Sequence, residues 1–329
     1  MASLDAYVDN YDSGGRSGTR LAGGGAWTNK VGVFAKVRIS DDLLAVADVE
    51  EGFNFDGDAL SRNNSTWQDI GRLRLAMVGL RSKAFGKLDV GKTYGVTAPT
   101  MLDPFYAPAK LSPYSSLSAP VATPGSYYVD VRPKHTLVYT TPRWQGWSLA
   151  SALTFNYDSA SSSGREIRGK GVRLDYMSPT VVALAGFSRY WSNPYFDSDN
   201  HEVQTANDYI FASAAYDLGP ASLSLAWQRQ TVDTNIAPDL NVITAGVMIP
   251  HGNNLIRGVV VRRMVDGKDK NAWGAMVGYD YFISKRSAVY VRAGLVVNEA
   301  DANQTMAAIP LENADDTPQI FALGVYHHF

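Results

Sequence analysis

Lys30, Lys36, Arg38, Arg72, Arg74, Arg173 and Arg292 each adjoin apolar residues in segments where greasy and polar side chains take turns. In an extended chain that alternation gathers the cations on one face. So many bases would not be buried unpaired in a dry core. They call for water or for anions, and in a narrow aqueous passage with low-dielectric walls they would focus a field that concentrates counter-ions. Nucleophilic and metal chemistry find less support. His135 lies on an alternating segment, His201 and His251 lie near connections, and His327 and His328 lie in the last segment; none adjoins a Gly-x-Ser-x-Gly or His-Glu-x-x-His motif. Asp197, Asp199 and Asp208, or Asp315 and Asp316, read either as hydrated loops or as calcium ligands. Cysteine is absent, which removes disulfides, thiolate metal sites and thiol nucleophiles. No enzyme activity, cofactor or metal is expected.

The elements that must position the cations are strands. Val31, Val33, Ala35, Val37 and Ile39 alternate with Lys30, Lys36 and Arg38, and the same period recurs in Arg72–Met77, Trp147–Phe155, Leu223–Gln228 and Val289–Arg292. Roughly sixteen such segments are legible, starting near residues 2, 29, 42, 69, 84, 132, 146, 168, 180, 205, 219, 238, 253, 270, 286 and 317. Short turns at Ser40–Asp42, Ser178–Thr180, Asp217–Pro220 and Ser284–Arg286 separate longer polar stretches such as 11–28, 53–68 and 299–316. Short turns at one end, long loops at the other and an even strand number describe a closed membrane barrel. Trp147 and Tyr157 bracket one segment; ten residues at about 3.3 Å each, tilted near 40°, cover roughly 25 Å of bilayer.

Composition agrees with that architecture. The 329 residues include 18 tyrosines and 29 glycines, and only 19% are charged, against about 25% in ordinary globular chains. Thirty basic and 32 acidic residues leave a net charge of −2, so no nucleic-acid partner is expected. No run of eighteen apolar residues exists to form a transmembrane helix. Met1-Ala2-Ser3 leads directly into an alternating segment without the features of a signal peptide, and Met1 is read as an expression-derived start.

Several short motifs resemble the Gram-negative trimeric porin family, in its neisserial and β-proteobacterial branch and in the related enterobacterial general diffusion porins. They are Ser3–Tyr7 for the opening strand, Glu50-Glu51-Gly52-Phe53-Asn54, Arg74–Leu80, Phe85–Leu88 followed by Gly91–Gly95, and the terminal Phe329 with Val325, Leu323 and Phe321 on its face. The resemblance runs end to end. It implies an all-β fold over residues 1–329, a 16-stranded antiparallel transmembrane β-barrel in the outer membrane of a Gram-negative bacterium. It also implies an assembly signal at Phe329, a homotrimer, contact with outer-membrane lipid and lipopolysaccharide, and passive diffusion of small hydrophilic solutes.

Residues 96–130 carry six prolines and little alternation, and a structureless stretch of that length is usually functional. Met101–Phe105 resembles the tip of the family's third loop, which folds into the barrel and constricts it. The resemblance maps a basic wall onto Lys30, Arg72, Arg74 and Arg132, facing Glu50 on the wall, with Asp48 beside it, and Asp103 on the loop. That leaves a basic excess, so small anionic solutes are the expected partners, and loss of Arg74 and Arg132 should shift selectivity most. Phe105, Tyr106, Tyr114, Tyr127 and Tyr128 have two readings: they hold a flat carboxylate together with wall arginines, or they fasten the loop. A specific channel for aromatic carboxylates or phosphate-like anions is therefore the alternative. Parity puts Lys92 on the outward face, where it either joins a trimer contact or snorkels at the lipid surface.

Overall fold

The computed structural model describes residues 1–53, 73–97, 102–106, 109–121, 131–155, 166–192, 194–232, 237–267 and 269–329. In chain order the first half holds β1 (Ala2–Asp12), β2 (Ser17–Gly23), β3 (Lys30–Arg38), β4 (Leu43–Gly52), β5 (Leu73–Ser82), β6 (Gly86–Lys92), the short helix α1 (Pro113–Leu117), β7 (Thr136–Thr140), β8 (Trp147–Phe155) and β9 (Ile167–Met177). The second half holds β10 (Val181–Trp191), β11 (Tyr195–Phe196), β12 (Glu202–Val203), β13 (Ala206–Asp217), β14 (Ser222–Val232), β15 (Leu240–His251), β16 (Asn254–Val265), β17 (Ala272–Ser284), β18 (Ser287–Asn298) and β19 (Gln319–His328). All but β11 and β12 join one sheet of antiparallel neighbours, and β1 pairs with β19 from Ser3↔His328 to Asp12↔Gln319, which closes it. Because β2 and β3 both pair with β1, the 17-stranded sheet forms a barrel of 16 wall positions. Closure leaves no unpaired edge in the hydrocarbon, where an unmet backbone group would cost several kcal/mol.

Each barrel strand starts within about four residues of the position expected from alternation. Residues 11–28 are the main departure, since they contain β2. Gly23-Gly24-Gly25 breaks the second wall strand in two. The detour between the halves turns inward, and a Cβ on Gly25 would meet the Tyr290 hydroxyl and the Tyr7 ring at 2.5 and 2.6 Å. Asp5 holds the detour by accepting hydrogen bonds from the backbone amides of Gly25, Ala26 and Trp27. The stretch 299–316 also differs from a purely polar surface loop. Ala302, Met306 and Ile309 are buried with Tyr7, Leu111 and Tyr290 inside the barrel, while Arg16 and Arg20 tie the loop through Glu312 and the Ala308 carbonyl. Residues 54–72, and Tyr157 with them among the girdle positions, lie outside the described residues.

The outward face is apolar and uncovered: Val33 is 73% exposed, Val277 63% and Leu323 57%. In water such a surface would cost about 25 cal/mol per Å²; against lipid the penalty vanishes. Phe85, Tyr139, Trp144, Trp147, Tyr216 and Tyr281 stand exposed near the short-turn end, the level at which aromatic rings mark the membrane interface.

Candidate functional site at the pore constriction

The third loop crosses the lumen and is fastened to the wall built by β14 and β16–β18. Tyr114 Oη donates to Gln228 Oε1 (2.9 Å), and Gln228 Nε2 donates to the Ser118 carbonyl (3.0 Å). Arg263 Nη1 donates to the carbonyls of Leu117 (2.8 Å) and Ala119 (2.6 Å), and the Val121 amide donates to Gln230 Oε1 (2.9 Å). Below them the buried Asp280 pairs with Arg257 (2.6 Å) and Arg292 (2.7 Å). Arg257 also donates to the Pro104 carbonyl, and the Arg292 guanidinium lies 5.2 Å from the centre of the Phe105 ring. Wall glycines make room for this contact: a Cβ on Gly246 would collide with Pro104 at 2.4 Å, and one on Gly278 with Phe105 at 2.7 Å. At the opposite edge the amides of Lys110 and Leu111 donate to the carbonyls of Gly24 and Gly25. The detour between β2 and β3 thus serves as a seat for the loop.

The constriction wall is built differently. Across β4 and β5, Glu50 pairs with Leu75 and Glu51 with Leu73, so Arg74 is the extra residue of a β-bulge. A bulge re-aims side chains. Here Arg74 and Leu75 are both buried inside the barrel, at 0% and 5% exposure, while Leu73 and Val78 point outward. The strict alternation expected from Arg72 to Met77 therefore fails at this point, and Leu75 and Met77 line the lumen. Glu50 accepts a hydrogen bond from Lys30 Nζ at 2.7 Å and lies 3.6 Å from Arg74 Nε. That second distance is a charge contact, too long for a hydrogen bond. None of the three guanidinium nitrogens of Arg74 has a hydrogen-bond acceptor among the described residues. Arg132, also fully buried, stacks its guanidinium over Tyr94 at 5.4 Å.

Tyr106, at the loop tip with φ 59°, lies against Trp27 with ring centroids 4.4 Å apart. Burial, with Tyr94 adding to it, pushes its phenol up to about 12 against the opposing pull of Arg74 and Arg132, so it stays a neutral donor at physiological pH. Lys30, Arg74, Arg132, Glu50 and Tyr106 thus meet at one level of the pore.

Asp103 does not join them. It is enclosed within the loop, accepting from Ser112 Oγ (2.6 Å) and from the Phe105 amide (3.2 Å). Burial, outweighing those bonds and the attraction of Arg257, raises its pKa to about 6. Phe105 and Tyr114 are buried against the fastening wall. Lys92 lies on the outward face beside Val90, its ammonium donating to the Leu73 carbonyl at 2.6 Å. The Phe329 amide donates to the Ala2 carbonyl, which brings the two chain ends together, and its ring is exposed outward. Arg72, Tyr127 and Tyr128 lie outside the described residues. Sequence reading missed Gln228, Gln230, Arg257, Arg263 and Asp280. Parity alone, with Gln228 and Gln230 flanking Arg229, could have placed the glutamines inward.

A family model described as Gram-negative porin matches residues 2–301. Among relatives, an outer membrane porin protein of Bordetella pertussis is 26% identical over 304 residues, spanning 87% of this chain and 69% of that protein. The anion-selective porin from Comamonas acidovorans superposes with a TM-score of 0.82 at 18% identity, covering 100% of this chain and 98% of that one. The trimer form of OmpT, an outer membrane protein of Vibrio cholerae, gives 0.66 at 14% identity, with 100% and 98% covered. A closed barrel, a loop drawn across its lumen and a family match over most of the length agree: the chain belongs to the Gram-negative porin family, channel proteins of the outer membrane.

Proposed function

We propose that this porin passes small hydrophilic solutes by diffusion and favours anions over cations. The observation that carries the reading is the buried Arg74 guanidinium, which lacks a hydrogen-bonded acceptor among the described residues and stands with Arg132 and Lys30 against Glu50 and the neighbouring Asp48. Burial places this charge where dielectric screening is weak, so its field reaches into the aqueous passage without direct contact with the solute. Anions are concentrated at the narrowest level and cations are repelled. The likeness to a structure described as an anion-selective porin supports the same sign. The enclosure of Asp103 supports it too, because that carboxylate is turned away from the passage.

The test is a reversal potential across a planar bilayer under a salt gradient. Anion preference is expected, and cation preference would overturn the proposal. A homotrimer embedded in lipid and lipopolysaccharide is part of the same reading, with the outward-facing Lys92 assigned to the trimer contact. Native mass spectrometry of detergent-extracted protein checks the stoichiometry. A channel dedicated to carboxylates through Phe105 and Tyr114 is the weaker reading, since both rings are committed to fastening the loop.

A further inference from the structure

The inward side of β5–β9, toward the short turns from the constriction, is unusually apolar for an aqueous lumen. Leu75 and Met77, turned in by the bulge, face Val138 and Ala150 across a cavity of about 520 Å³ that Tyr94 and Tyr106 roof. That volume lies within the range of roughly 300–1,000 Å³ typical of small-molecule sites. Backbone register explains why there is space. One row across the wall reads Gly79, Asp89, Val138, Ala152 and Gly171, so small side chains occupy most of it. At Gly171 an added Cβ would strike Val96 at 2.5 Å.

The next row toward the short turns reads Arg81, Lys87, Thr140, Ala150 and Arg173. Three cations therefore line up along one edge of the apolar recess. Arg81 is paired with Asp89 and Arg173 with Asp175. Lys87 is exposed and makes no ion pair among the described residues. The other carboxylate in the cavity, Asp48, stands opposite Met77, four residues along β5 from the Arg81 row and so about 13 Å away.

We infer that this recess is a binding subsite for amphiphilic monocarboxylates, with an aromatic or short branched apolar group against Leu75, Met77 and Val138 and the carboxylate on Lys87 beside the Thr140 hydroxyl. An apolar body is held by area, and a single charge-assisted contact orients it. A purely hydrophilic anion gains only the second contribution and passes without dwelling. The subsite rests on the anion-preferring pore proposed above, because a cation-preferring constriction would keep carboxylates out.

Single channels of the purified protein in planar bilayers test it, with benzoate, acetate and neutral benzyl alcohol added from the short-turn side. Benzoate is expected to interrupt the current at a concentration about tenfold below that of acetate, and benzyl alcohol is expected to have no such effect. Lys87→Gln and, independently, Met77→Gln are each expected to bring benzoate to the level of acetate. Equal action of benzoate and acetate on a channel that retains anion preference overturns the subsite alone. Equal action of benzoate and benzyl alcohol overturns the role of Lys87 and with it the subsite. A cation-preferring reversal potential overturns the underlying reading instead, so the two failures are distinguishable.

Discussion

The two sides of the lumen are both rich in arginine, yet they do opposite things with it. On the β14 and β16–β18 side, Arg257, Arg263 and Arg292 are answered by Asp280 and by loop carbonyls, and their charge is consumed in holding the loop. On the β3–β5 side, Arg74 has only a distant Glu50 among the described residues, and that carboxylate is already shared with Lys30. A buried arginine with its acceptors met is scaffold, whereas one without them is a source of field. The difference is one of satisfaction: the buried Arg263 and Arg292 lack a partner only at Nε, whereas all three guanidinium nitrogens of the buried Arg74 lack one among the described residues.

The largest break in that comparison should come from Asp280→Asn. It leaves the buried Arg292 and the half-buried Arg257 without a counter-charge, which for a buried pair typically costs about 3–5 kcal/mol. A clear drop in the thermal unfolding midpoint and noisier single-channel current are expected. Arg74→Met should act in the reverse sense. With an unmet donor removed, stability is unchanged or rises by up to about 1–3 kcal/mol. The anion-to-cation permeability ratio falls by about 4- to 10-fold, as expected when one charge roughly 10 Å away, at an effective dielectric between about 50 and 80, stops attracting the anion and repelling the cation. Chemical denaturation and reversal potentials on the same variant read both, and a strong loss of stability would erase the distinction between the walls.

Tyr114→Phe removes one neutral hydrogen bond to Gln228, worth about 0.5–1.5 kcal/mol. It should loosen the loop, seen as added current noise, without moving the reversal potential. The smallest change in selectivity concerns pH. Asp103 has a pKa raised from 3.8 to about 6, so folding favours its protonated form. Its contribution to loop seating is therefore full below about pH 4 and is lost as pH rises through about 6. Acidification from pH 7 to 5 should quieten the current and increase anion preference slightly, and Asp103→Asn should abolish that dependence.

Most of the barrel was legible because each wall strand must show lipid one face and water the other, and the side-chain period of two writes that requirement into the chain. What escaped has identifiable causes. The bulge at Arg74 adds a residue whose effect on phase shows only against its partner strand, so Leu75 and Met77 could not be read as lumen-facing. β2 is hidden by the glycines that interrupt it. Lys30, Glu50 and Arg132 were placed at the constriction by resemblance, and the structure brings them to one level with Arg74. The fastening wall was invisible, since Gln228, Gln230 and Arg263 become meaningful only beside loop atoms more than a hundred residues away. Asp103 reads as a pore acid in sequence because nothing local reveals that Ser112 will enclose it.

The seat between β2 and β3 also ties the loop to the closure of the cylinder. The loop docks on carbonyls near residue 25 and on side chains between residues 228 and 292, so its two moorings are synthesised and inserted at opposite ends of the chain. Until the first and last strands zip together, the tip has only half a berth. Both moorings therefore come within reach of one loop only in the closed cylinder, where the first strand lies beside the last.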